Sequence, residues 1–194
     1  MKRGFTIVEL LVVVAIIGVL LGIVTAVATS SLKNTRERRG DAMASAFQQA
    51  IAAYYAQEGE WPNGIENIAK SYSKDKSSYT LTASEAEPVF REIVENSVGA
   101  NATRPLIDAS ALFVAKASLV KGDGCNDNHD DKNKTSYCGD KRCVNGVDFT
   151  EALKSGMSVS EMAFGWQGRE YGKFRRFWIT YNAKTDTVKV SKTR

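Results

Sequence analysis

Apolar residues gather heavily at one end of the chain. From Phe5 to Ala28 the one charged side chain is Glu9, and from Leu10 to Val24 no side chain is polar. As a helix, residues 5–28 would be about 36 Å long at ~1.5 Å per residue, enough to cross a hydrocarbon core of roughly 30 Å. The segment is apolar on every side, so it must lie in lipid or be wrapped by other apolar helices. The helical pattern then continues. Met43, Phe47, Ala50, Ile51 and Tyr54 fall at helical spacing, the stripe of an amphipathic helix that docks on a head. Between the two stretches, Lys33 to Asp41 is charged and polar apart from Gly40, and reads as a solvated neck. One helix from Phe5 to about Glu58 would be ~80 Å long, stopped by Gly59 with Trp61-Pro62 behind it.

The remainder alternates between short helices and strands. Ile65 to Ala69 suggests a short helix. Ser84-x-x-Glu87 reads as a capping box with Pro88 in the first turn, opening a helix whose apolar stripe is Val89, Phe90, Ile93 and Val94 before Gly99. Ala109 to Val114 is an apolar run of either type. Asp148, with Glu151 three residues later, caps a further short helix through Leu153. Lys173 to Asn182 alternates, with Phe177, Ile179 and Tyr181 on one face and Arg176, Trp178 and Thr180 on the other. Ala183 to Asp186 then turns, and Thr187 to Ser191 returns as a strand. A long helical stem on a small antiparallel sheet is an α+β fold.

The N-terminal stretch admits several readings: a buried core helix, a plain membrane tether, or a cleaved secretory signal with Lys2 and Arg3 as its basic region and Ala26-Val27-Ala28 as its processing site. Glu9 decides among them. A carboxylate near the end of a membrane helix costs on the order of 2–3 kcal/mol, less near the interface, and neither a tether nor a signal needs that penalty. No Lys, Arg or His lies within the stretch, so a cationic partner must come from elsewhere. A free α-amino group is a good candidate if the chain is cut before Phe5. Gly18 and Gly22 form a G-x-x-x-G pair. They let helices approach closely, are simply glycines of a membrane helix, or unwind locally at roughly 2 kcal/mol of lost propensity.

Lys2-Arg3-Gly4, then Phe5-Thr6-Ile7-Val8-Glu9-Leu10-Leu11 and the run through Gly18, resemble the leader of type IV pilins and type II secretion pseudopilins. The resemblance implies cleavage after Gly4 by a membrane-embedded prepilin peptidase and N-methylation of Phe5. It implies that Glu9 neutralises the amino terminus of a neighbouring subunit. A proline common near mid-helix in the family is absent here, where Ala26 stands, so no proline kink is expected. Tyr54-Tyr55, Gly59 and Trp61-Pro62 resemble the passage that ends the long helix of major pseudopilins. The implied organisation is a leader at 1–4, a membrane and assembly helix at 5–28, an amphipathic continuation at 29–58 and a head at 59–194. The implied partners are further copies of the chain, minor pseudopilins, the prepilin peptidase, an inner-membrane assembly platform and lipid before assembly. The chain would sit once across the bacterial inner membrane, with its head in the periplasm or outside the cell. Lys33, Arg36, Arg38 and Arg39 after the span argue for the reverse orientation by the positive-inside count, and the resemblance is followed instead.

Residues 121–148 hold every cysteine (Cys125, Cys138, Cys143), the lone His129 and many Asp and Asn residues. The bland reading is a solvated loop. In an oxidising compartment one disulfide would pin it, by any of three pairings, leaving one cysteine over. Calcium is a second reading, with Asp123, Asp127, Asp130, Asp131 and Asp140 as candidate ligands; related pseudopilins bind it in a C-terminal loop. The EF-hand pattern is missing, however. Zinc through the cysteines and His129 lacks a C-x-x-C knuckle.

The chain of 194 residues is 43% hydrophobic with a mean hydropathy of -0.26, values that average a lipid-soluble stem with a polar head. The formal charge of +4 falls to +2 once Lys2 and Arg3 leave with the leader, too small to call for nucleic acid. No G-x-S-x-G, phosphate loop or H-E-x-x-H stands in the sequence, and no carboxylate pair lies in an apolar setting. No enzyme and no required cofactor are expected.

Overall fold

The computed structural model describes residues 6–62, 64–65, 78–98, 105–120, 144–168 and 172–192. The chain divides into two compact units, Met1–Thr35 and Arg36–Arg194. Helix α1, Ile7–Glu58, is a single element of 52 residues that contributes to both.

In the first unit every described residue through Leu32 is exposed, apolar side chains included. Among the described residues this is the helix long and apolar enough to cross a membrane. Two of its threonine hydroxyls turn inward on the helix. Thr25 Oγ1 donates to the carbonyls of Leu21 and Gly22 at 3.0 Å, and Thr29 Oγ1 to that of Ala26 at 2.9 Å. Hydroxyls bonded to their own backbone leave little polar surface for lipid to desolvate.

The second unit is built on the later turns of α1, whose buried face is Gly40, Met43, Ala44, Phe47, Ala50 and Ile51. Gly59 ends the helix at φ 76°, its N–H donating to Tyr55 O at 2.9 Å, the left-handed C-terminal position that glycine takes without steric cost. The other described elements are β1 (Tyr79–Thr80), α2 (Ala83–Val98), β2 (Phe113–Lys116), β3 (Val147–Asp148), α3 (Phe149–Lys154), β4 (Met162–Gln167), β5 (Phe174–Arg176), β6 (Trp178–Asn182) and β7 (Thr187–Ser191). They form two antiparallel sheets, in the orders β1-β6-β7 and β3-β2-β4-β5. The α+β architecture expected from the sequence is present, with two sheets in place of one.

Phe47 is the hub of the core. Its ring lies 4.6 Å from Phe90 of α2, 6.2 Å from Phe164 of β4 and 5.9 Å from Phe177. Strand β4, with five of its six residues buried, is apolar without alternation, and so carries no period-2 signal. It is flanked by β2 and β5 with Phe113 opposite Gly165 and Gly165 opposite Arg176. A Cβ on Gly165 would stand 1.9 Å from Arg175 O, so glycine is what lets β5 pair there.

Several local expectations change. The predicted strand over residues 173–182 is two strands in different sheets, broken at Phe177. The burial phase survives the break, because Phe177, Ile179 and Tyr181 all remain buried. The capping box of α2 uses Thr82 and Glu85, in place of the box expected over residues 84–87. The N–H and hydroxyl of Thr82 each donate to Glu85 Oε2 at 2.7 Å. Pro88 therefore falls in the second turn, and Glu87 is buried at 8% exposure. Asp148 precedes α3 but makes no cap; its carboxylate holds Arg39 instead. The segment expected as a solvated neck packs from Arg36 onward. Gly40 is buried against Trp166, Lys192 reaches Asp41 at 2.8 Å, and Arg39 reaches Asp148. Of the predicted helix over residues 65–69, Ile65 is described and is helical, and the rest lies outside the described residues.

Candidate functional site

The chemistry predicted at the N-terminus centres on Glu9. Thr6 precedes the first helical residue, and its N–H and hydroxyl both donate to Glu9 Oε2 at 2.8 Å. The Glu9 N–H donates to Thr6 Oγ1 at 3.3 Å, which closes a capping box. A cation from elsewhere is thus not the first group Glu9 meets. A neutral one three residues earlier already bonds one of its oxygens. Glu9 Oε1 carries no hydrogen bond among the described residues. The carboxylate therefore satisfies the helix terminus and keeps a second oxygen open to a donor.

Gly18 and Gly22 lie along the same exposed helix. A Cβ built on either would meet nothing within 4 Å. Nothing among the described residues needs a glycine at those positions, so a requirement for small residues there would come from another molecule. Gly4 and Phe5 lie outside the described residues, as do Cys125, Cys138, Cys143, Asp123, Asp127, Asp130, Asp131, Asp140 and His129. Among the described residues no group of three or more His, Cys, Asp or Glu is placed to hold a metal ion.

The head carries three polar constellations with no motif of their own. The first joins the end of α1 to the last hairpin. Asp186 sits in the β6–β7 turn at φ 48°, a region that Asp tolerates better than most side chains. Its Oδ1 accepts from Trp61 Nε1 at 2.8 Å and from Tyr181 OH at 2.9 Å, and its Oδ2 from Tyr55 OH at 3.2 Å. Tyr55 and Trp61 stack with centroids 4.1 Å apart. The Asp186 charge raises the Tyr55 phenol above its ordinary value, and burial together with the Asp186 bond raises that of Tyr181.

The second constellation is Trp166, which takes Arg175 and Lys192 against its ring at 5.5 and 5.1 Å. Burial lowers Arg175 to about 10. The third is Glu87, 3.5 Å from Arg176. Burial pushes its carboxyl up to about 7 against the opposing pull of Arg176, Arg91 and the Phe164 N–H. The aromatic-rich passage before Pro62 and the aspartate in the last turn were the available signals for the first constellation. The other two join residues too far apart in sequence to suggest one another.

The prokaryotic N-terminal methylation motif matches residues 1–25. A fimbrial protein of Neisseria meningitidis is 27% identical over 75 residues, a stretch that covers 39% of this chain. The chain spans 44% of that relative, less than half its length. No solved structure matches. A methylation motif at the start of a long apolar helix, continued into an antiparallel α+β head, is similar to what type IV pilins carry.

Proposed function

We propose that the chain is a structural subunit of a type II secretion pseudopilus, not an enzyme. It would polymerise through its N-terminal helix after cleavage behind Gly4 and N-methylation of Phe5, with its head outside the inner membrane. The observation that carries this reading is Glu9 in the first turn of an apolar helix exposed on all sides, within the residues that match a methylation motif. Such a helix is costly in water. It is accommodated by lipid in the lone subunit and by other helices in a filament. The open Glu9 Oε1 is available to the amino group of a neighbouring Phe5, while Thr6 holds Oε2. Charge neutralisation away from water then favours each added subunit over a free one. Gly18 and Gly22 would lie at contacts between helices.

The likeness to a fimbrial protein favours a second reading, a type IV pilus subunit, which shares every step up to the identity of the filament. A disulfide among Cys125, Cys138 and Cys143, and calcium on the neighbouring aspartates, belong to the proposal for residues 121–148.

Mass spectrometry of the mature protein tests processing. N-methylphenylalanine at Phe5 is expected, and a chain starting at Thr29 would overturn the filament reading. With processing intact, Glu9→Ala should reduce assembled filament at least tenfold; normal assembly would refute the charge-pair mechanism. Loss of exported protein against loss of surface fibres, on deletion of the gene, separates pseudopilus from pilus.

A further inference from the structure

A groove of about 220 Å³ runs between α1 and the β6–β7 hairpin, lined by Gln48, Gln49 and Ala52 on one side and by Trp61, Asp186 and Val188 on the other. Its chemistry is one-sided. The Asp186 carboxylate is held by three neutral donors, and no ion pair to it is present among the described residues. Those three bonds leave Oδ2 with room for one further donor. Beside it stand the indole of Trp61, the exposed side chain of Gln49 and an aliphatic floor of Ala52 and Val188. Among the described residues no lysine or arginine lines the groove. A carboxylate beside an aromatic ring and an apolar floor matches a basic side chain, with the head on the charge and the stem on the hydrocarbon.

We infer that this groove receives a basic side chain from a second copy of the chain, with Arg38 as the side chain delivered. The inference rests on the filament reading above and names a contact within it. Arg38 is exposed on the same helix and takes part in no hydrogen bond or ion pair among the described residues. It precedes the groove residues Gln48 to Ala52 by ten to fourteen positions. Two parallel copies of α1 staggered by about 15–21 Å therefore bring one copy's Arg38 level with the other's groove. Charge complementarity of this kind sets the register of packed helices more than it adds raw affinity.

The test uses full-length protein and leaves Asp186 untouched, since its bonds belong to the fold. Arg38→Glu and Gln49→Lys are made singly and together, both at exposed positions. Each single variant is expected to unfold at the native temperature yet give at least tenfold less filament sheared from cells, and the double variant should recover most of the loss. Single variants that assemble like the native chain, or a double variant no better than either single one, overturn the inference while the filament reading stands. The same variants in detergent report self-association by sedimentation, without filament growth. A native chain that forms neither filaments nor detergent oligomers overturns both readings.

Discussion

Glu87 shows how a single side chain can tie stability to pH. Its carboxyl titrates near 4.5 in an unfolded chain, and burial in the head raises it to about 7. The folded protein therefore holds a proton that the unfolded chain has already released between those values. The stabilisation from this group is complete below about pH 4.5 and is lost as pH rises through 7. At ~1.4 kcal/mol per unit the full change is on the order of 3 kcal/mol. Thermal unfolding of Glu87→Gln should lack this fall, so its advantage over the native head should grow between pH 5 and pH 8. Parallel pH profiles for the two proteins would contradict the assignment. Asp186 supplies a second residue-scale prediction. Asp186→Val removes the acceptor of three bonds and puts a β-branched residue at φ 48°. A loss of about 2–3 kcal/mol is expected, with red-shifted tryptophan emission as Trp61 is released. Asp186→Asn keeps an acceptor and tolerates the backbone, so it should lose less than half as much.

At the scale of elements, local pattern and actual partner diverge in instructive ways. The helices announced themselves through period, and the buried faces of α1 and α2 are the stripes that spacing marks: Met43, Phe47, Ala50 and Ile51, then Val89, Phe90, Ile93 and Val94. The start of α2 was misplaced by two residues, because Thr82-x-x-Glu85 and Ser84-x-x-Glu87 are equally good boxes on paper. What separates them is that Glu87 is drawn into the core beside Arg176 and is not available to cap. Thr82→Ala should cost about 1 kcal/mol by denaturant unfolding, the usual worth of an N-cap hydroxyl. A variant as stable as the native head would return the cap to another residue. Strand β4 escaped detection because alternation arises where one face meets water, and β4 is buried on both. The break at Phe177 was equally hidden: burial alternates through it unchanged while the hydrogen-bond partner switches from β4 to β7 and β1.

For the molecule as a whole, the described apolar residues that are buried fall within Arg36–Arg194, while the described apolar side chains of the first unit are exposed. Residues 36–194 should consequently fold alone, as a soluble domain with one cooperative thermal transition. Circular dichroism of that fragment, and its elution as a monomer in gel filtration, check this; a fragment that is aggregated or unfolded would mean that the first unit is needed for folding. Under the proposed function the apolar helix sets instead where the protein resides and what it assembles with. Much of that was legible in the sequence, since an unbroken apolar run with one carboxylate needs only its own composition to be read. Thr6 was in plain view, three residues before Glu9, and its bond to the carboxylate follows from ordinary capping geometry.

The sequence by itself determined the long N-terminal helix, its apolar exposure, the glutamate in its first turn and the amphipathic stripe that carries it into the head. These are properties of neighbours within a few turns, set by spacing and by the polarity of each side chain. The tertiary structure decided which strands share a sheet, that Asp148 serves Arg39 109 residues away and that Glu87 is buried with an arginine. It also decided that Asp186 gathers Tyr55, Trp61 and Tyr181 at the edge of an open groove. Such pairings depend on which elements pack together, and packing is a collective property of the core that no local period encodes.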